Sequence, residues 1–265
     1  MNKTILTVKD LKVSIGKDSI LKNIYLQVQK GCIYGILGPS GVGKSTLLFG
    51  LAGLLKTPPY TVEGHISFED GKNILGYTER EKQIAVAKYG SIIFQQAMSA
   101  LDPYQNVYNA LQEIIHLKES KDKDYVKRRI YELLQLVGLD EEKSLLEKYP
   151  HELSGGMAQR ITLALALIGP PQILLADEPT SSMDAIYALS FVKHLKELVE
   201  DTKISVLFVS HDLALLANFC DRILVMDQGV LVENESTEKI LTSPKSEMGK
   251  RLLEESKRIS RYEID

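Results

Sequence analysis

The chain has 265 residues, 44% of them hydrophobic and 25% charged, with a mean hydropathy of −0.07, enough apolar material for one large domain or a core with a smaller lobe. A formal net charge of −3 gives no general pull toward nucleic acid or anionic lipid, so no nucleic acid is expected as a partner. The two cysteines, Cys32 and Cys220, stand too far apart in sequence to suggest a disulfide framework or a Cys/His metal cluster.

The first ten residues, MNKTILTVKD, hold too short an apolar stretch for a signal peptide, and no apolar run approaches membrane-spanning length. The expectation is a cytosolic chain that meets a membrane only through a partner. Residues 5–30 read as strands, because Leu6 and Val8, Leu11 and Val13, and then Ile24, Leu26 and Val28 alternate with polar neighbours. A turn at Lys30-Gly31 feeds the apolar run 32–37, which ends in the stretch GPSGVGKST.

That stretch fits G-x-x-x-x-G-K-[ST] at Gly38, Gly43, Lys44 and Ser45, and a helix-like run over residues 45–55 follows it. Strand, glycine-rich loop and helix is the order in which such a loop binds nucleotide. Glycines let successive N–H groups converge on an anion, and the helix start adds the positive end of its dipole. Lys44 is then expected to reach the β- and γ-phosphates of ATP, and the Ser45 hydroxyl to ligate Mg²⁺.

Pro58-Pro59 and Gly64 punctuate the chain around an alternating piece at 62–68, residues 70–90 give no clear period, and 91–94 reads as a short buried strand. From about 103 to 157 the period becomes helical, with Val107, Leu111, Ile114 and Ile115, then Ile130, Leu133, Leu134 and Val137. A helix over 157–168 follows. Apolar runs at 173–176 and 204–209 alternate with helical runs at 185–199 and 213–219, and 222–226 with 230–232 flank Gln228-Gly229 as a hairpin. Residues from 236 on read as two short amphipathic helices without a core role. Strands alternating with helices predict an α/β fold with a mainly parallel sheet covered on both faces, whose ligands collect at the carboxyl ends of the strands.

Chemistry-bearing residues cluster at those predicted ends. ILLADE finishes a strand with Asp177, which can hold Mg²⁺ opposite Ser45, and Glu178, which can orient or polarise a water attacking the γ-phosphate. His211 follows the run VLFV and can hydrogen-bond the γ-phosphate or that water; a plain helix start capped by Ser210 or Asp212 is its structural alternative. Gln95 follows SIIF and can reach Mg²⁺ or water, with Gln96 as a competing candidate. LSGGMAQR, residues 153–160, sets two glycines before a helix and makes a second anion-binding helix start. Its Ser154, Gly155 and Gly156 are expected to serve the ATP held by another subunit, against the alternative of a Gly-Gly turn capped by Ser154.

With GPSGVGKST, FQQ, LSGGM, ILLADE, SSMD (residues 181–184) and SH (210–211) in this order, the chain resembles the nucleotide-binding subunits of ATP-binding-cassette transporters over roughly residues 5–255. FQQAMSALDP and YPHELSGGMAQR are similar to the subgroup that energises oligopeptide, dipeptide and nickel importers. The resemblance implies a P-loop NTPase core over 1–95 and 158–235 with an N-terminal antiparallel β piece, a helical subdomain over 96–157 and a helical tail over 236–265. It implies nucleotide contacts from Gly38, Pro39, Ser40, Gly41, Val42, Gly43, Lys44, Ser45 and Thr46. Contacts from Ser154, Gly155, Gly156 and Met157 fall across a dimer seam with Asp184, Mg²⁺ ligation falls to Ser45, Gln95 and Asp177, and the catalytic roles fall to Glu178, His211 and Gln95.

The same resemblance implies a second cassette, identical or related, two integral-membrane permease subunits, an extracytoplasmic binding protein acting indirectly, and a place at the cytoplasmic face of the membrane. Departures are visible. Ile15 stands where the family offers an aromatic side chain to the adenine, so an aliphatic contact and weak base discrimination are expected, and Ala97 replaces a proline common after the Gln loop. The tail carries no cysteine cluster, which argues against an iron–sulfur centre. A P-loop small-molecule kinase would explain residues 38–45 but leaves LSGGM and His211 without work, and a non-transport regulatory ATPase of this family usually carries both cassettes in one polypeptide.

Overall fold

The computed structural model describes residues 3–139 and 144–262. The elements run β1 (Thr4–Ile15), β2 (Asp18–Gln29), β3 (Ile33–Leu37), α1 (Lys44–Leu51), β4 (Tyr60–Phe68), α2 (Glu79–Tyr89), β5 (Gly90–Ile93), α3 (Ala97–Ala100), α4 (Val107–Lys118), α5 (Lys123–Leu136) and α6 (Gly155–Ala166). They continue as β6 (Ile173–Asp177), α7 (Ala185–Thr202), β7 (Ser205–Val209), α8 (Leu213–Ala217), β8 (Arg222–Asp227), β9 (Val230–Ser236), α9 (Thr237–Thr242) and α10 (Glu247–Tyr262). A six-stranded sheet has the order β5-β6-β7-β3-β8-β9, parallel except for the β8–β9 hairpin, and a separate antiparallel sheet has the order β2-β1-β4.

The apolar runs read from the sequence are the interior strands: every residue of β3, β6 and β7 is buried, as a sheet covered on both faces requires. One apolar cluster joins β1, β2 and β4 to α1 and one face of the large sheet; the other joins α4 to α8 to its opposite face. The small sheet is locked to the large one by a close approach at the β8–β9 turn. Gly229 has φ +81°, its carbonyl accepts the Lys22 N–H at 2.8 Å, and an added Cβ would lie 2.2 Å from the Ile20 carbonyl oxygen, so only glycine fits there.

Four expectations change. The helix after the phosphate loop stops at Leu51 and not near residue 55. Residues 70–90 hold α2, started by a capping box in which Thr78 and Glu81 exchange hydrogen bonds; the charged run EREK hides its periodicity. The helix after LSGG begins at Gly155, two residues early, because Ser154 caps it through the Met157 N–H. The tail also has a core role: Ile240 is fully buried, and Met248, Leu252 and Leu253 pack on the main cluster. The last three residues of that tail lie outside the described ones.

The helices between β5 and β6 are fastened by polar contacts. Arg160 in α6 donates to the carbonyls of Val137 and Gly138 and to Ser190 Oγ in α7. Lys118 donates to the Ile168 carbonyl, while Glu119 accepts from the Gly169 N–H at 2.9 Å, from Arg129 and from Tyr125. Burial would raise the Glu119 carboxyl, but the Gly169 N–H, Arg129 and Tyr125 outweigh it and hold it below the usual carboxylate range. A carboxylate with a depressed folded pKa contributes stability above its unfolded value and loses it as pH falls through the folded one. Glu119→Gln is therefore expected to destabilise the chain by about 2 kcal/mol at pH 7, and the gap to the parent in urea unfolding is expected to begin narrowing below about pH 4, near a free glutamate's pKa, and to close only as pH falls through the lower folded value.

Candidate active site

β3, β7 and β6 lie side by side in register, with Ile36 and Asp177 both paired to Val209. Their carboxyl ends therefore deliver Gly38, Asp177-Glu178 and Ser210-His211 to one edge of the sheet. The Glu178 N–H donates to the Val209 carbonyl at 3.2 Å, and Glu178 takes φ +44°, a left-handed conformation uncommon for a non-glycine residue. Such strain is tolerated where the surroundings fix it, and it turns the Glu178 side chain toward the loop at 38–46.

That loop is built by close packing. A Cβ on Gly38 would lie 2.3 Å from the Met226 carbonyl oxygen, and one on Gly43, at φ +100°, would lie 2.8 Å from Leu21 Cδ2. The sequence offered no sign that Met226 and Leu21 shape the loop, because they read as ordinary strand residues. Gly43 caps α1 without any side-chain hydrogen bond, so the first amides of that helix have no side-chain acceptor and suit an anion. Lys44 is 5% exposed and donates through Nζ to the Gly38 and Pro39 carbonyls at 2.8 and 2.9 Å, spanning the loop.

Around Lys44 the predicted residues meet. Ser45 Oγ donates to Asp177 Oδ1 at 2.9 Å, Lys44 Nζ is 3.9 Å from Glu178 Oε1, Gln95 Nε2 donates to Glu178 Oε2 at 3.3 Å, and His211 Nδ1 is 3.7 Å from the same oxygen. Gln96 instead accepts from Ser99 Oγ, which resolves the choice between the two glutamines. Asp212 is the residue that caps α8, through the Leu215 N–H, so His211 is left exposed and turned to Glu178. Burial pushes the Lys44 ammonium pKa down, partly offset by Glu178 and Asp177; burial likewise pushes the Asp177 carboxyl up, against the Ser45 hydrogen bond.

The remaining predicted residues stand apart from this cluster. No hydrogen bond or ion pair among the described residues joins Ser154, Gly155, Gly156 or Met157 to the loop at 38–46, and a Cβ on Gly155 or Gly156 would meet nothing within 4 Å. Asp184 caps α7 through the Ile186 and Tyr187 N–H groups. Ile15, 37% exposed, ends β1 at the rim of the small sheet. No group of three or more His, Cys, Asp or Glu side chains suited to a metal ion is found among the described residues. The oxygen set of Ser45, Asp177 and Gln95 nevertheless fits Mg²⁺, which takes one or two protein carboxylates and fills its octahedron with phosphate oxygens and water.

The description "ABC transporter" belongs to the family model that matches residues 21–181. Oligopeptide transport ATP-binding protein OppD of Bacillus subtilis is 35% identical over 246 residues, covering 91% of this chain and 68% of that protein. Dipeptide transport ATP-binding protein DppD of Haemophilus influenzae is 34% identical over 245 residues, covering 91% of this chain and 74% of that protein. Among solved structures, the dimeric post-hydrolysis state of the ATP-binding cassette MJ0796 bound to ADP and Pi superposes with a TM-score of 0.76, at 28% identity, over 88% of this chain and 99% of that one. The buried lysine under a glycine loop, the carboxylates at the strand ends and the match across most of the chain lead to one conclusion: this protein belongs to the ABC transporter family, as one of its ATP-hydrolysing cassettes.

Proposed function

We propose that this cassette hydrolyses ATP at a seam shared with a second cassette, identical or related, and so drives a peptide importer at the cytoplasmic face of a membrane. The observation that carries the reading is the meeting of Lys44, Gln95 and His211 around Glu178, with Ser45 on Asp177 beside it. Residues from four separate stretches of the sequence share one carboxylate-centred edge. The amides of Gly41 to Thr46 and the Lys44 ammonium bind the phosphates, with Gly38, Pro39 and Ser40 shaping the turn. Ser45, Asp177 and Gln95 hold Mg²⁺, which when bound neutralises charge on the phosphate oxygens.

Glu178 orients the attacking water and takes its proton as the new P–O bond forms and the bond to ADP breaks. Gln95 and His211 hold that water and the γ-phosphate. Electrostatic positioning is the main device, as phosphoryl transfer requires. Ser154, Gly155 and Gly156 face outward and, with Met157 behind them on the main cluster, cap the nucleotide of the opposing cassette, with Asp184 at the seam. The dimeric neighbour bound to ADP and Pi supports this use of two copies. The described residues include no helix long and apolar enough to cross a membrane, so two permease subunits, gripped through the helical subdomain at 96–157, carry the cargo that an extracytoplasmic binding protein delivers. Peptides are the cargo class that the names of the two relatives support.

Glu178→Gln is expected to bind ATP with parental affinity and to hydrolyse it at least about 100-fold more slowly; a phosphate-release assay showing full activity would remove Glu178 from its role. Lys44→Ala is expected to lose nucleotide affinity in equilibrium binding, and unchanged binding would sink the phosphate-loop assignment. Because the Ile15 contact is aliphatic, ATP and GTP are expected to support turnover within about an order of magnitude of each other, roughly 1.4 kcal/mol. A far larger preference for ATP in the same assay rejects that reading of Ile15.

A further inference from the structure

We infer that Gln159 is a positioning residue for Gln95: its buried side-chain amide pairs with the backbone at Ala97 in the nucleotide-bound arrangement and so fixes where Gln95 points. The inference rests on the reading of Gln95 as a residue that holds Mg²⁺ and the attacking water, and it adds what steadies that side chain. Gln159 is 1% exposed, and neither its Nε2 nor its Oε1 has a hydrogen-bond partner among the described residues. A buried amide left in this way bears its full desolvation penalty, and native chains keep few such groups. The next polar group along, the Thr162 hydroxyl, donates to the Gln159 main-chain carbonyl at 2.8 Å and not to the amide.

The topology places that amide. α6 is joined by a short link to the start of β6, which runs parallel to β5, so α6 runs back against β5 with its first turn at the carboxyl end of that strand. Gln159, Thr162 and Ala166 share one helix face, at spacings of three and seven. Thr162 and Ala166 line a cavity with Ile93, Phe94 and Ala100, and α6 packs on both β5 and α3. Gln159 stands about 4.5 Å nearer the helix start than Thr162, which carries it past the end of β5 to the segment that leads into α3.

That segment has an unmet demand of its own. The N–H groups of Gln95, Gln96 and Ala97 have no acceptor among the described residues, Gln96 gives α3 no side-chain cap, and Ala97 is buried. Gln95 itself donates Nε2 to Glu178. To ligate Mg²⁺ it must present Oε1 instead, so its side chain has a second orientation that the backbone behind it must support. In that arrangement Gln159 Oε1 accepts the Ala97 N–H, and both unpaired groups are satisfied together. A contact made in one arrangement and missing from the other shifts the balance toward the first.

The full-length chain tests this with Gln159→Leu, Gln95→Ala and the double variant, read by urea unfolding without nucleotide and by phosphate release with ATP and Mg²⁺. Gln159→Leu is expected to unfold at the parental urea concentration or higher, because the amide it removes is unpaired in the nucleotide-free chain. Its kcat is expected to fall about tenfold with the KM for ATP within about twofold of the parent. Added to Gln95→Ala, the Leu substitution is expected to cost no more than about a further twofold, since the two act as a unit. Earlier unfolding of Gln159→Leu shows an amide already employed in the resting fold and overturns the inference, as does full additivity in the double variant. Parental kcat in Gln159→Leu beside a slow Gln95→Ala overturns the inference alone. Parental kcat in Gln95→Ala removes the reading beneath it, and the inference with it.

Discussion

Everything at this site depends on holding one ammonium and two carboxylates out of water at the end of a sheet. Lys44 and Asp177 are each 5% exposed, and the Glu178 side chain is 19% exposed. Taking such charges out of water costs several kcal/mol per ion unless partners replace the lost hydration. Lys44 replaces it with two backbone carbonyls and the Glu178 carboxylate, Asp177 with the Ser45 hydroxyl, and Glu178 with Gln95. Two acids against one base leave local negative charge, which a divalent cation beside Asp177 would offset. A purely structural cluster would more cheaply be apolar, which supports the binding and catalytic role proposed for this one.

The cluster can be held because its backbone supports are themselves over-determined. Val209 sits between Ile36 and Asp177 in the sheet, and its carbonyl takes the Glu178 N–H that fixes the left-handed turn. On the other side, Gly38 leaves no room for a side chain against Met226, and Gly43 little against Leu21. The phosphate loop is thus clamped between the large sheet and the small one, which are joined at Lys22 and Gly229. A turn at Gln228-Gly229, remote in sequence from the loop, is part of what shapes it.

The sequence made the cluster readable because Asp177-Glu178 and Ser210-His211 close runs of buried apolar side chains, and Gln95 follows the strand that ends at Ile93. ILLADE, VLFV-SH and SIIF-QQ announce a strand and then break it with a polar group, and parallel strands bring such ends together without any further information. The choice between Gln95 and Gln96 was not legible, since it turns on which side chain the short helix α3 consumes. Nor was α2, whose charged start of Glu79, Arg80, Glu81 and Lys82 masks the period; only the Thr78–Glu81 capping pair signals its start. The tail misled for the opposite reason. Its helices are mostly polar, and the few side chains that enter the core, Ile240 above all, are too sparse to show a stripe.

Under the proposed sharing of the site, the segment at 153–157 is still connected through its own chain to the cluster around Glu178. Ser154 spends its hydroxyl on capping α6, and among the described residues nothing packs where side chains on the next two glycines would stand. α6 nevertheless packs directly on α3, and α3 begins two residues after Gln95, whose amide reaches Glu178. Arg160, one turn further along α6, grips the end of α5 and the helix that Asp184 starts. α6 is thus joined by packing and hydrogen bonds to the segment that follows Gln95 on one side and to the helix that Asp184 starts on the other. The carboxylate at the centre of the cluster is contacted by a residue next to the helix that packs on α6, a contiguous connection of the kind that the proposed sharing of the site would use.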